Sequence, residues 1–365
     1  MSTHQFKPDL PPPAKTFGPV AWLRNNLFSS WFNTLMSLLA IYLIWLIVPP
    51  LLSWAIFDAT WLGDTREQCT GGDACWLFIE QRFGQFIYGY YPPELRWRVD
   101  LTVLLAIVGV APLFVRQFTP KAKYGIAFIV LYPIVAFFLL SGGVLGLEHV
   151  PTSAWGGLTL NLILAVVGIA GALPLGILLA LGRRSKLPAV KVVCVTFIEF
   201  WRGVPLITVL FMASVMLPLF LPEGMSFDKL LRALIGIILF ESAYVAEVVR
   251  GGMQAIPKGQ YEAASAMALG YWRSMGLVIL PQALKMTIPG LVNTFIALFK
   301  DTSLVYIVGL FELLNSVKQA SADPKWLGMA TEGYAFAALV FWIFCFGMSR
   351  YSQYLERKLD TGHKR

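Results

Sequence analysis

Long apolar runs separated by short polar segments dominate this sequence. Eight windows approach the roughly 20 residues that a helix needs to cross a bilayer core about 30 Å thick. They cover residues 33–57, 99–115, 124–146, 156–182, 192–221, 231–250, 286–310 and 334–352. Only 14% of the residues are charged, against about 25% in soluble domains. The pattern therefore predicts an all-α polytopic membrane protein with about eight transmembrane helices.

Ionisable residues divide these windows into two groups. The three windows before Pro151 hold hardly any, whereas the five after it hold nearly all of the charge found inside apolar runs. Residues 17–31 fit either a short interfacial helix or the end of an unstructured leader. The predicted organisation is a cytoplasmic leader (1–32), an accessory three-span region (33–150) with an extracytoplasmic loop (58–98), a working domain (154–352) and a cytoplasmic tail (353–365).

Lysine and arginine residues favour one orientation of the chain. With an even number of spans and the N-terminus inside, the inner segments carry most of the 29 lysine and arginine residues. Positive charge concentrates on the cytoplasmic side of membrane proteins. We therefore expect an uncleaved, multi-pass membrane protein, surrounded by lipid, with both termini cytoplasmic. The net charge of +8 has the same origin, and no basic patch interleaved with aromatic residues indicates nucleic-acid binding.

The predicted extracytoplasmic loop contains two cysteines in the segment CTGGDAC. Cys69 and Cys75 flank a Gly-Gly turn on the oxidising side of the membrane, which fits a small disulfide, with free thiols as the alternative. Cys194 and Cys345 lie in apolar runs and suit packing. The histidines are scattered, so no cluster indicates a metal site.

Polar residues inside apolar runs are costly in lipid and usually face a bundle interior or a transport path. In FIEFWRGVPLI, Glu199 and Arg202 are three residues apart, and they fit either an ion pair at a helix end or a substrate contact. In FESAYVAEVVRGG, Glu241 and Tyr244 share one helical side by their spacing. Glu241 lies deeper in its run and is the stronger pathway residue.

Two further sets of polar residues lie in or beside these runs. Glu247 and Arg250 suit an i,i+3 pair at the cytoplasmic end of the same helix. The run from 286 to 310 is interrupted by four polar residues, which fit either a polar lining of a transport path or a structural ion pair between helices. These are Lys300, Asp301, Thr302 and Ser303.

The segment YEAASAMALGYWRSMGLVILPQALK, residues 261–285, differs from the apolar runs on both sides. Pro257 precedes a series of good helix formers, which predicts a cytoplasmic helix. Alanines make one side of this helix thin, and Glu262 adds an acid. Such a helix fits a groove of another protein, and an amphipathic loop on the membrane is the alternative.

This segment resembles the cytoplasmic loop of ABC importer permeases. The family pattern is EAA, three residues, Gly, nine residues, Ile, one residue and Leu-Pro. Ala268 occupies the glycine position and Val278 the isoleucine position, and Gly270 offers a substitute hinge. The chain matches the pattern at Glu262, Ala263, Ala264, Leu280 and Pro281.

Three flanking motifs indicate which branch of these permeases the chain resembles. FWRGVPL, SAYVAEVVRGGMQAIPKGQ and LFKDTSL look like the polar amino-acid branch of these permeases, the histidine and glutamine type. The extra spans, the CTGGDAC loop and the length look most like the longer membrane subunit of the general L-amino acid permease system. The resemblance implies a five-helix type I permease core, preceded here by three extra spans.

The resemblance also implies a location in the bacterial inner membrane, and it implies partners. These are a second permease subunit in a heterodimer, two copies of a cytoplasmic ATP-binding cassette ATPase and a periplasmic amino-acid-binding protein. ATP and Mg²⁺ belong to the ATPase, since this chain has no GxxxxGK[ST] phosphate loop. Residues 257–272 of the 257–285 loop look like the coupling helix. The residues expected to couple to the ATPase are Gln260, Tyr261, Glu262, Ala263, Ala264, Ala268, Gly270, Leu280 and Pro281.

These observations predict a permease subunit, not an enzyme, of an ATP-driven importer of L-amino acids that works by alternating access. An ion-coupled carrier is the rival, because intramembrane carboxylates could serve as its ion site. An amino acid carries an ammonium and a carboxylate, so its site should offer both signs. The expected substrate-pathway residues are Glu241, Tyr244, Lys300, Asp301, Thr302, Ser303, Glu199 and Arg202.

Overall fold

The computed structural model describes residues 18–359, apart from 64, 70–71, 116, 118–119, 145, 221 and 223–226. These residues form helices almost throughout, with one two-residue strand, Phe311–Glu312. Six helices are long and apolar enough to cross a membrane, and a bent pair of helices makes a seventh candidate. One further helix, Lys229–Ala255, has the length of a span but carries five charged residues. The fold therefore agrees with the prediction of about eight membrane helices.

The described chain divides after Leu77 into two compact units. In the first unit, α1 (Pro19–Asn26) precedes α2 (Trp31–Leu52), which Ser30 caps by accepting a hydrogen bond from the Asn33 backbone. The interfacial-helix alternative at residues 17–31 thus corresponds to an observed helix, while residues 1–17 of the expected leader lie outside the described part. The expected disulfide between Cys69 and Cys75 is present.

The second unit begins with three helices that precede the expected working domain. They are α3 (Leu77–Tyr88), α4 (Trp97–Phe114) and α5 (Lys121–Ser141). The accessory region expected at 33–150 is therefore divided, because residues from Phe78 onward belong to the same unit as the core. Helix α3 lies in the expected loop 58–98, where no helix was predicted. It buries Phe78 and Phe86, and the Phe78 ring lies 5.5 Å from that of Trp326.

The first core helices include a sharp bend. They are α6 (Gly157–Arg183), α7 (Pro188–Gly203), α8 (Leu206–Phe211) and α9 (Lys229–Ala255). The window predicted at 192–221 corresponds to a bent pair of helices, since the α7 and α8 segments meet at 101°. Pro205 has no backbone N–H and its ring clashes with a continuing helix, while Gly203 weakens the last turn.

The rest of the core contains the loop expected to couple to the ATPase and two long helices. These elements are α10 (Lys258–Ala266), α11 (Tyr271–Ser274), α12 (Leu280–Asp301), α13 (Leu313–Ser321) and α14 (Ala330–Leu359). Helix α14 continues into the expected tail, of which residues 360–365 lie outside the described part. The long helix α12 has α10 before its first residue and α13 after its last, so these two short helices mark opposite ends of the bundle. We name them the α10 end and the α13 end.

Helix α9 lies at the centre of the core and packs closely on α6 and α12. A Cβ atom at Gly176 of α6 would lie 2.5 Å from Cγ1 of Val245 on α9. Small residues at such crossings let two membrane helices approach closely. Residues on the facing sides of α6, α9 and α12 can therefore meet inside the bundle.

Candidate functional site

Two carboxylates lie near each other inside the bundle, one from α9 and one from the end of α12. Glu241 is only 4% exposed, and its Oε1 has no hydrogen-bond partner among the described residues. Asp301 is half-buried and close enough to Glu241 for their charges to interact. An unpaired carboxylate in such surroundings is costly, and intramembrane acids of this kind mark substrate or ion pathways. This acid pair can bind a positively charged group.

The other polar residues next to Asp301 do not join this pair. Lys300 is exposed and, with Ser303, lines a separate cavity of about 220 Å³ against α13 and α14. Thr302 is buried and donates a hydrogen bond to a backbone carbonyl one turn earlier. No ion pair joins Lys300 to Asp301 in the part of the chain described. The structure thus places the four residues of this set in three different surroundings.

Tyr244 lies one turn from Glu241 and belongs to an aromatic contact. Its ring lies 5.1 Å from that of Phe240, and the Arg202 guanidinium lies 5.7 Å from its ring centroid. The ion pair considered between Glu199 and Arg202 does not form. Glu199 instead accepts a hydrogen bond of 2.9 Å from Arg183. The close packing of α6 beside α7 brings Arg183 to Glu199 and leaves Arg202 directed at α9.

Four charged residues from three helices meet at the α10 end. Glu247 of α9 lies 2.9 Å from Arg183, 2.9 Å from Arg250 and 3.8 Å from Arg202. We call this set the Glu247 hub. The i,i+3 pair predicted between Glu247 and Arg250 is confirmed, and Arg250 donates both Nε and Nη2 to the carboxylate. The hub therefore joins the ends of α6, α7 and α9.

Tyr261 of α10 links the hub region to the expected coupling loop. Its hydroxyl donates to the Met253 carbonyl at 2.7 Å and accepts from Arg184 at 2.8 Å. Gln282 of α12 donates to the side chain of Gln260 at 3.1 Å. Tyr261 and Gln260 therefore face the permease core, and their hydrogen bonds join α10 to the ends of α6 and α9 and to α12.

The opposite side of this loop faces outward. Ala264 is buried, whereas Glu262 and Ala263 are exposed. Met267 is 76% exposed and Trp272 is 70% exposed. Large exposed apolar side chains beside a short polar helix mark an interaction surface. Sequence reasoning missed Trp272, although a tryptophan in a polar loop is a usable signal.

Ala268 has the backbone conformation that the family pattern assigns to glycine. Its φ is +54°, and it is the only described non-glycine residue with a positive φ. This left-handed conformation costs an L-residue about 1–2 kcal/mol. Gly270 has φ −62° and caps α11, so it does not provide the expected substitute hinge. Leu280 and Pro281 begin α12, with Leu280 half-buried against the core.

A buried polar network at the α13 end was not predicted. Asn161 of α6 donates to Thr302 at 2.9 Å and to Glu312 at 3.3 Å, and its carbonyl oxygen accepts from the Leu313 backbone at 3.0 Å. Asn161 and Glu312 are fully buried. A lone asparagine within an apolar span is the sequence signal that could have identified it.

The carboxylate of Glu312 caps α13 within this network. It accepts hydrogen bonds of 2.8 Å from the backbones of Leu314 and Asn315. Burial raises the pKa of Glu312 above its usual value, while these backbone donors and Asn161 oppose the rise. The network anchors α13 to α6 beside the acid pair.

Comparison with known proteins identifies relatives over the whole length of the chain. Residues 172–361 match the family described as binding-protein-dependent transport system inner membrane component. The inner membrane amino-acid ABC transporter permease protein YhdY of Escherichia coli strain K12 is 64% identical, over 94% of each chain. The glutamate/glutamine/aspartate/asparagine transport system permease protein BztC of Rhodobacter capsulatus is 40% identical, over 97% of this chain and 96% of that one.

A solved structure of an amino-acid transporter has a similar fold over part of the chain. A chain in the crystal structure of an amino acid ABC transporter with histidines is 28% identical, with a TM-score of 0.50. The match covers 55% of this chain and 92% of that one.

Proposed function

The chain belongs to the family of binding-protein-dependent transport system inner membrane components, and we infer from this that it is the permease subunit of an amino-acid ABC transporter. It is a multi-pass inner membrane protein and a transport component. Family membership does not favour the rival ion-coupled carrier. A cytoplasmic ATPase, a second permease subunit and a periplasmic binding protein complete the proposed importer.

The proposed coupling role rests on one observation, namely that one side of α10 bonds to the permease core while the opposite side of the loop faces outward. Tyr261 bonds inward to α6 and α9, while Glu262, Ala263 and Trp272 face outward. On the proposed orientation the α10 end is cytoplasmic. The outward side then docks in a cleft of the ATPase, and closure of the ATPase pair moves α10 together with the helix ends bound to Tyr261.

The acid pair supplies the proposed contact with the substrate. Glu241 and Asp301 together favour a positive charge, so they receive the ammonium group of an L-amino acid as it passes through the bundle. Lys300 lies in a different cavity and is exposed. The carboxylate of the substrate is therefore bound elsewhere, and a site shared with the second permease subunit satisfies this requirement.

Co-purification tests the coupling role. The tagged chain is isolated in mild detergent beside Ala263→Arg, which changes the exposed side of α10. The matched control is Ala189→Arg, an exposed alanine of α7. We expect the ATPase and a second permease to accompany the wild type and the control, and the ATPase alone to be lost from Ala263→Arg. A wild-type chain that purifies alone would contradict the proposal.

Uptake by reconstituted vesicles tests the energy source. Transport by the proposed importer requires ATP, is blocked by vanadate and does not respond to ionophores. Uptake that continues with vanadate and stops when an ionophore collapses the gradient would support the ion-coupled carrier instead.

A further inference from the structure

A cavity of about 790 Å³ lies between α4 and α5 on one side and α6 and α9 on the other. Its α4 wall runs from Val99 to Val110, a length of roughly 16 Å at 1.5 Å per residue. The α6 wall extends from near the helix start to Val167. The cavity therefore begins at the α13 end and reaches about the middle of a bilayer core some 30 Å thick.

This cavity separates the α4–α5 hairpin from α6 and α9 along most of its length. At the α13 end the Phe137 ring lies 6.1 Å from that of Trp155. At the other end the Phe114 ring of α4 lies 5.8 Å from that of Tyr351 on α14. The hairpin contacts the core at these two levels, and the cavity lies along its face between them. A molecule in the cavity would contact both the hairpin and the core.

The long walls of the cavity offer almost no free polar group. Thr102 donates to the Arg98 carbonyl at 2.7 Å, and Tyr132 donates to the Thr102 carbonyl at 3.1 Å. The remaining side chains along these walls are mainly aliphatic or aromatic. Pockets of this size and lining bind largely apolar ligands. The part of the ligand beside these walls must therefore be apolar.

Polar lining residues gather at the α13 end of the cavity. Asp228 caps α9 by accepting from the backbones of Leu230 and Leu231, and it also accepts from the Thr152 hydroxyl. His149, whose Nδ1 lies 3.1 Å from the Ser141 carbonyl oxygen, also lines the cavity. Asp228 is the one acidic or basic side chain among the described lining residues, apart from His149. This end therefore suits a positively charged group.

We propose that this cavity binds one acyl chain of a glycerophospholipid that carries an ammonium group in its head. The apolar length lies against α4, α5 and α6, and the head group reaches Asp228 at the α13 end. An amphiphile with one polar end matches both parts of the lining. The bound chain fills the space between hairpin and core and holds α4 and α5 against α6. The site requires only that the chain lies in a membrane, so it does not depend on the transported substrate.

Native mass spectrometry tests this site on the purified full-length chain with any subunits that accompany it. The protein is exchanged into mild detergent with equal amounts of phosphatidylethanolamine and phosphatidylglycerol. We expect one tightly retained lipid per chain, enriched in phosphatidylethanolamine. Ala136→Phe fills the cavity from α5 and should remove this lipid, whereas Ala127→Phe, at an exposed position of the same helix outside the lining, should retain it. Ala106→Phe on α4 repeats the test from the other helix of the hairpin.

A second variant separates the head group from the acyl chain. Asn is as good an N-cap residue as Asp, so Asp228→Asn preserves the start of α9 and removes only the charge. It should retain a lipid but lose the preference for phosphatidylethanolamine. Equal lipid retention by the wild type, Ala136→Phe and Ala106→Phe would overturn the proposal. So would a photoreactive side chain at position 106 that crosslinks to a protein partner and never to lipid.

Discussion

The hydroxyl of Tyr261 lies 2.8 Å from Nη1 of Arg184, and the guanidinium of Arg184 lies 5.3 Å from the centre of the same tyrosine ring. A second partner, the Met253 carbonyl, accepts from this hydroxyl at 2.7 Å. One side chain of α10 is therefore fixed to the ends of both α6 and α9. Two of these contacts depend on the hydroxyl and one on the ring.

Tyr261→Phe should weaken coupling without removing the ATPase. The phenylalanine ring keeps the contact with Arg184 but loses two hydrogen bonds, each worth about 0.5–1.5 kcal/mol. We expect fewer amino acids transported per ATP hydrolysed and faster hydrogen exchange in residues 258–266. Tyr271→Phe is the control, since Tyr271 lies in the same loop with its side chain exposed. Unchanged stoichiometry and exchange in Tyr261→Phe would show that the hydroxyl does not transmit motion.

The Glu247 hub should dominate stability at the α10 end. Glu247→Gln leaves Arg183, Arg202 and Arg250 without their shared anion, and charged hydrogen bonds contribute about 1.5–3 kcal/mol. We expect a clear drop in the melting temperature of the detergent-solubilised protein. Glu199→Gln removes one exposed ion pair with Arg183, which is worth about 1 kcal/mol or less. This variant should change the melting temperature little. Equal losses in both variants would contradict a central role for Glu247.

The acid pair should determine the affinity for substrate. Glu241→Gln and Asp301→Asn each remove a negative charge without a large change in volume. Loss of a charged contact worth about 1.5–3 kcal/mol corresponds to a roughly 10- to 100-fold rise in KM for uptake. Lys300→Gln should alter KM much less, because Lys300 faces another cavity. Assembled complexes of both acid variants with unchanged KM and rate would remove Glu241 and Asp301 from the substrate path.

Asn161 should be essential for the stability of the α13 end. Asn161→Leu leaves Glu312 and the Leu313 backbone N–H with fewer partners in a fully buried place, at a cost of about 1–3 kcal/mol per unsatisfied group. We expect a lower melting temperature and weaker protection of α13 in hydrogen exchange. Asn293→Leu, at an exposed position of α12, is the matched substitution and should be neutral or stabilising. Similar protection in both variants would refute this role.

Asp323 should make stability depend on pH in the acid range. The Lys325 backbone N–H and then Arg82 hold its pKa below the usual value. The folded state therefore binds the proton less well than the unfolded state. This contribution is present above the unfolded pKa of about 3.9 and is lost as pH falls through the lower folded pKa. The melting temperatures of wild type and Asp323→Asn should differ at neutral pH and converge below about pH 4. A difference in melting temperature between the two proteins that stays the same at every pH would contradict this role of Asp323.

The sequence by itself determined most of the membrane helices, the presence of a short helix in the loop at 257–285 and the pairs that lie within one helix. Apolar runs fix where a helix can cross lipid, and the 3.6-residue period brings Glu247 and Arg250 together without help from the rest of the chain. The two cysteines of the CTGGDAC segment are likewise close along the chain, and their disulfide was expected. These features depend on neighbours a few residues apart.

Only the tertiary structure decided which distant residues meet. The contact of Asn161 with Glu312 and that of Arg183 with Glu247 each depend on how α6 packs beside other helices. The same packing separates Lys300 from the acid pair and directs Arg202 away from Glu199. No local period encodes these contacts, because they follow from the close approach of helices that small residues such as Gly176 permit.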